Sequence, residues 1–172
     1  MEKIGNFFGA LDRATRFALK ALTIALFAAL MLIVTANVLL RIFPVTSLHW
    51  LDEIVELCFG ALVFYGAAGA WAAKAHFSVG DWIGSRLKGE RAKTANRLFI
   101  ELVCLAFFLT FFYFSLQITL RTMEVTSVFQ IPRKFVYSCM PISAGIMGLY
   151  SLVRSAALVI QLVAPDTEGK TD

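Results

Sequence analysis

Charged side chains are absent from four stretches of the chain, 21–40, 57–73, 102–120 and 135–153, of 20, 17, 19 and 19 residues. Leucine, alanine, phenylalanine and valine fill them, with no alternation of polar and apolar positions. A helix rising about 1.5 Å per residue needs about 20 such residues to cross a hydrocarbon core of roughly 30 Å. The pattern predicts an all-α integral membrane protein with four transmembrane helices, over about 21–40, 50–73, 100–121 and 134–154. The second stretch is short and borrows Trp50 to Glu56, whose acidic residues suit a helix N-terminus. A β-barrel is excluded, because its strands would alternate polar and apolar residues.

Two flanking segments follow a different pattern. Within 1–20, Ile4, Phe7, Phe8, Leu11 and Ala18 share one helical face, while Lys3, Asp12, Arg13 and Arg16 fall elsewhere. Within 77–88, Val79, Trp82, Ile83 and Leu87 lie opposite Asp81, Ser85, Arg86 and Lys88. Basic helices with one apolar face rest along lipid headgroups; for the first segment, a plain extension of the spanning helix fits equally well. A polar tail, 165–172, closes what reads as one membrane domain, 1–172.

Charge placement gives the expected orientation. The N-terminal segment holds four Lys+Arg, the second link six and the C-terminal end two, against one in the first link and three in the third. Twelve against four puts both termini on the cytoplasmic side. The first stretch exceeds the 7–15-residue apolar region of a signal peptide, and no A-x-A-like site follows it, so a retained helix is expected.

Composition sharpens the class. Hydrophobic residues make up 59% and charged residues 16%, with a mean hydropathy of +0.74. A soluble domain averages roughly 45–50% and about 25%, and a core of this size could not hide the excess. The net charge of +4 is scattered in short clusters between apolar stretches, not gathered on one face for nucleic acid.

Chemistry is conspicuous by placement. Asp, Glu, Lys, Arg and His are missing from all four stretches, with Glu56 and Glu101 expected at helix starts. His49 and His76 flank span two from opposite ends and cannot pair on a haem. Cys58, Cys104 and Cys139 form no CxxC, and no phosphate loop, HExxH or nucleophile elbow occurs. The expectation is a protein without catalytic residues, metal or cofactor. Thr35, Asn37, Thr110 and Gln117 can hydrogen-bond inside a membrane. They leave open an alternative, an autonomous four-helix transporter working as a homodimer.

Packing signals remain. Gly66 with Ala70, Gly69 with Ala73, and Ala144 with Gly148 have the small-xxx-small spacing that lets helices approach closely. Pro141 should kink span four. Phe107, Phe108, Phe111, Phe112, Tyr113 and Phe114 nearly encircle span three, which suits lipid or another membrane subunit.

Specific motifs add a family resemblance. Trp50-Leu51-Asp52-Glu53 opens span two, Tyr65-Gly66-Ala67-Ala68-Gly69-Ala70-Trp71 continues it, and Lys74-Ala75-His76-Phe77-Ser78-Val79-Gly80-Asp81 follows. Ile131-Pro132 precedes span four and Met140-Pro141 lies within it. Over essentially its whole length the chain resembles the small membrane subunit, the Q subunit, of tripartite ATP-independent periplasmic (TRAP) transporters.

That resemblance implies a large membrane subunit as partner, a periplasmic substrate-binding protein as transient partner, and sodium-driven uptake of an organic acid such as sialic acid or a C4-dicarboxylate. It implies a scaffold in the bacterial inner membrane, in the form not fused to the large subunit. Arg41, Trp50, Asp52, Glu53 and Glu56 then stand as candidate periplasmic interface or anchor residues. His76, Val79, Asp81, Trp82 and Ile83 stand as a candidate cytoplasmic turn and interfacial helix; two potential ligands there fall short of the about four of a closed zinc site.

Overall fold

Runs of leucine and alanine with no internal proline favour helix, and a computed structural model of the chain, describing residues 2–42, 49–73 and 90–163, is helical wherever those runs occur. The elements are α1 (Glu2–Ile42), α2 (His49–Ala72), α3 (Glu90–Arg121), α4 (Lys134–Tyr137) and α5 (Cys139–Val163). Four candidate spans result, the fourth formed by α4 and α5 together. Among the described residues the sole extended pairing is a bridge between Val125 and Pro132.

α1 runs unbroken for 41 residues, which is roughly 60 Å of helix. The N-terminal segment and the first span are therefore one rod, about twice as long as a hydrocarbon core is thick. The second amphipathic segment, with His76, Val79, Asp81, Trp82 and Ile83, lies outside the described residues.

Packing follows the order α1–α2–α5–α3. Among the described residues, α1 and α3 make no close backbone approach to each other, so the helices form an open row with two edges instead of a closed four-helix ring. Leu19, Ala68, Phe108 and Met147, one from each long helix, make a small buried centre with Tyr65, Trp71, Cys104 and Ile146 packed around it. Aromatic rings also reach across α5: Phe64 stacks on Phe111 at 6.0 Å, and Trp71 meets Phe108 edge-on at 4.9 Å.

Small residues set the close approaches. A Cβ on Gly66 would lie 3.6 Å from Thr23 and one on Gly69 3.6 Å from Leu19, both on α1. On α5, Ala144 is buried and a Cβ on Gly148 would meet Phe108 at 3.8 Å. Ala70 is half-buried and Ala73 exposed; the fully buried alanines of α2 are Ala68 and Ala72. Gly69→Ala should be near neutral, because 3.6 Å is ordinary contact. Gly69→Leu should overpack the α1–α2 seam and cost about 1–3 kcal/mol, read as earlier thermal unfolding in detergent.

Pro141 acts one turn upstream of itself. It is the third residue of α5, where a missing N–H is tolerated, and it offers no N–H to the carbonyl of Tyr137, four residues back. The helix is interrupted between them, at Ser138, dividing α4 from α5. The Ser138 hydroxyl donates to the Phe135 carbonyl at 2.6 Å and the Cys139 thiol to the Val136 carbonyl at 2.9 Å.

Candidate functional site

Polar contacts concentrate at the two ends of the row. At the end where α2 begins, Asp52 and Glu56, four residues apart, point outward, while Glu53, about 100° further round, turns inward and is 9% exposed. Its carboxylate accepts the backbone N–H of Val128 at 2.8 Å and of Phe129 at 3.3 Å. The Thr126 hydroxyl interacts with the same carboxylate.

These three partners belong to the hairpin between α3 and α4. The hairpin is closed by Thr126 N–H to the Ile131 carbonyl at 2.9 Å and Arg133 N–H to the Glu124 carbonyl at 3.0 Å. The Thr126 hydroxyl oxygen accepts Ile131 N–H at 3.0 Å. Gln130 makes the reversal at φ 53, a left-handed conformation uncommon outside glycine, and its side-chain amide donates to the Ser127 carbonyl at 3.2 Å. The Trp50 ring meets Phe129 edge-on at 6.5 Å.

Beside Glu53 lies a recess of about 10 Å³ bounded by Glu56, Arg133 and Tyr137, room for about one water molecule. The Tyr137 hydroxyl, followed by Glu56 and Glu124, raises the pKa of Arg133 above its already high ordinary value, against some desolvation. Its guanidinium is therefore a fixed positive charge, 3.8 Å from Glu124.

The opposite end joins α1, α2 and α5. Tyr150 donates its hydroxyl to Asp12 at 2.6 Å, and Arg16 binds both oxygens of that carboxylate at 2.9 Å. The guanidinium of Arg16 lies 6.0 Å from the Tyr150 ring centre and that of Arg154 lies 5.8 Å from it. Arg154 also covers the Trp71 ring at 5.7 Å and donates Nη2 to the carbonyls of Trp71 at 2.9 Å and Ala72 at 3.2 Å. Those are the last carbonyls of α2, which have no partner within the helix.

The residues singled out in the sequence divide accordingly. Trp50, Asp52, Glu53 and Glu56 do share one end, and Asp52 accepts a hydrogen bond from Asn37 of α1 at 3.3 Å. Of the four, Glu53 alone is buried and accepts backbone amides of another element. Arg41 belongs to α1, and its side chain lies outside the described residues. Glu101 does not start a helix: α3 begins at Glu90, and Glu101 is half-buried with Oε1 enclosed and lacking a hydrogen-bond partner.

Thr35 and Asn37 stand on α1, Thr110 and Gln117 on α3, at opposite edges of the row. Thr110 spends its hydroxyl on the Ala106 carbonyl at 2.8 Å. Within one chain these four residues do not line a common path. Thr126, Tyr150 and Arg154 belong to no motif that marks them as site residues. The available signal was Arg154 as the first charge after the fourth apolar stretch, one turn beyond Tyr150.

Among the described residues, no three His, Cys, Asp or Glu side chains gather as a metal site. A family model described as "Tripartite ATP-independent periplasmic transporters, DctQ component" matches residues 30–161. Comparison with curated proteins returns no match.

Proposed function

The chain belongs to the DctQ family, the small membrane subunits of TRAP transporters, and from that premise we propose that it is a non-catalytic scaffold for the large membrane subunit. The observation that carries this reading is the open row. Both of its edges are wide apolar surfaces: Leu32 on α1 is 72% exposed and Leu120 on α3 is 65% exposed. Such surface needs lipid or another membrane helix against it, and lipid offers little competition to a well-packed partner. Both termini lie in the cytoplasm and the Glu53 end faces the periplasm, following the Lys/Arg asymmetry. The membrane is then the bacterial inner membrane.

In this reading the substrate pathway belongs to the large subunit, a periplasmic binding protein delivers the organic acid, and a sodium gradient drives uptake. The acid is a carboxylate of the sialic acid or C4-dicarboxylate type. The roomy cavity with a few placed polar groups that such a solute needs is unlike the water-sized recess beside Glu53.

The test is reconstitution. The chain should co-purify with the large membrane subunit of its transporter. Sodium-dependent uptake into liposomes should require both subunits and the binding protein. Transport by the chain alone, or failure of the two membrane subunits to associate, would overturn the scaffold reading.

A further inference from the structure

The hairpin between α3 and α4 has the wrong chemistry for an aqueous loop. Its outward side chains include Met123, 82% exposed, with Val125, Val128 and Phe129 also exposed. Its backbone, in contrast, is closed off in part. The amides of Thr126, Val128, Phe129, Ile131 and Arg133 all donate to groups of the chain itself, and Pro132 carries no N–H. In water, loop amides are hydrated without help. Enlisting the carboxylate of Glu53 to accept two of them matters where water is scarce, because unpaired backbone groups are costly there.

Position and charge identify the dry surroundings. The hairpin leaves α3 after Arg121 and enters α4 at Lys134, the two ends of charge-free apolar stretches. That places its residues in the headgroup zone, a layer roughly 5–8 Å deep on each side of the hydrocarbon. Exposed Leu116, Leu120 and Met123 carry the apolar surface of α3 without interruption into the hairpin. α3 is an edge of the row, so this surface is continuous with the membrane-facing flank. Arg121 and Lys134 supply cations at phosphate depth. Trp50, edge-on against Phe129, supplies an indole of the kind favoured at a membrane interface.

We propose that the hairpin 122–133 is seated in the lipid interface, its apolar side chains resting on phospholipid at the headgroup–acyl boundary. Glu53 makes this possible by satisfying the hairpin's amides from below. The hairpin thereby anchors the α3 edge at a fixed depth, as a wedge in the outer headgroup layer.

Nitroxide labels placed one at a time at Val125, Val128, Glu124 and Ser127 test this in bilayers of phosphatidylethanolamine and phosphatidylglycerol. The full chain is measured alone and with the large membrane subunit, and an unsubstituted control reads background from the native thiols. The ratio of oxygen to nickel-chelate collisions should be several-fold higher at Val125 and Val128 than at Glu124 and Ser127, in both samples. Equal access of the chelate to all four positions would put the hairpin in water and overturn the proposal. Loss of both reagents at Val125 and Val128 only when the large subunit is present would assign the surface to protein and overturn it as well. A second measurement avoids labels: brominated acyl chains should quench the added indole of Phe129→Trp beyond the wild-type background. Absence of extra quenching in a variant that remains folded by circular dichroism counts against lipid seating.

Discussion

Arg154→Met should destabilise the chain by about 2–3 kcal/mol, the scale of losing charge-assisted hydrogen bonds to carbonyls that then have no partner. Methionine keeps the apolar stem of the side chain while the guanidinium and its charge disappear. Two things are lost together. The Trp71 and Ala72 carbonyls at the end of α2 lose the Nη2 donor at 2.9 and 3.2 Å. The negative end of the α2 dipole and the face of Trp71 lose their cation, and Tyr150 keeps only Arg16.

Arg154→Lys should recover only part of this. An ammonium is a point charge and cannot lie flat on two rings while donating to two carbonyls. Tyr150→Phe removes the 2.6 Å bond to Asp12 and should cost about 1 kcal/mol. Combined with Arg154→Met it should cost less than the sum, because both changes act through the same ring. Thermal unfolding in detergent, with co-purification of the large subunit as a second readout, measures all four proteins. An unchanged melting temperature for Arg154→Met would show that the cluster is incidental.

How far the sequence reveals this architecture depends on what the membrane demands. The membrane requires four long apolar helices, and any chain meeting that demand shows it as four charge-free stretches. The break in the fourth span is legible too: Pro141 stands just after Ser138, where α4 and α5 divide. The order of packing is not legible in the same way. In water, the apolar stripe of a helix says which side is buried. In lipid, exposed Phe107 and buried Phe108 are chemically alike, and neighbouring positions on α3 give no clue to which one meets Trp71.

Small residues show the same limit. Gly66 and Gly69 do mark the α1–α2 seam, but Ala68 and Ala72, rather than Ala70 and Ala73, are the buried alanines. Spacing identifies a helix face and leaves its partner unnamed. The three buried serines of α5, Ser143, Ser151 and Ser155, illustrate this further, since serine carries no burial signal of its own. Of the polar clusters, Asp12 with Arg16 is a spacing of four on one helix and can be read locally. Tyr150 reaches Asp12 across 138 positions, and Val128 reaches Glu53 across 75, distances over which only the folded chain brings groups together.

Glu53→Gln should free the hairpin while leaving the four helices intact. The carboxylate is an acceptor at both oxygens and serves the Val128 and Phe129 amides together. Glutamine has one carbonyl oxygen, and its NH₂ group can only face the second amide donor to donor. One charge-assisted bond is therefore weakened to a neutral one and the other is replaced by a clash of donors. Hydrogen exchange at Val128 and Phe129 should accelerate about tenfold or more, as expected when a hydrogen bond to a charged group is lost. The Thr126 amide, which donates to the Ile131 carbonyl within the hairpin, should accelerate less. Amides in the middle of α3 and α5 should be unaffected, because the bond joins α2 to a loop and not to the seam between those helices. Glu53→Asp should fall on the same side as glutamine, since the shorter side chain keeps the charge but withdraws it from amides at 2.8 and 3.3 Å. A variant in which Val128 and Phe129 stay as protected as in the native chain would mean that the hairpin holds its shape through its own Thr126, Ile131 and Arg133 bonds. Glu53 would then be buried for packing alone, and this end of the row would owe its order to α3 and α4 without α2.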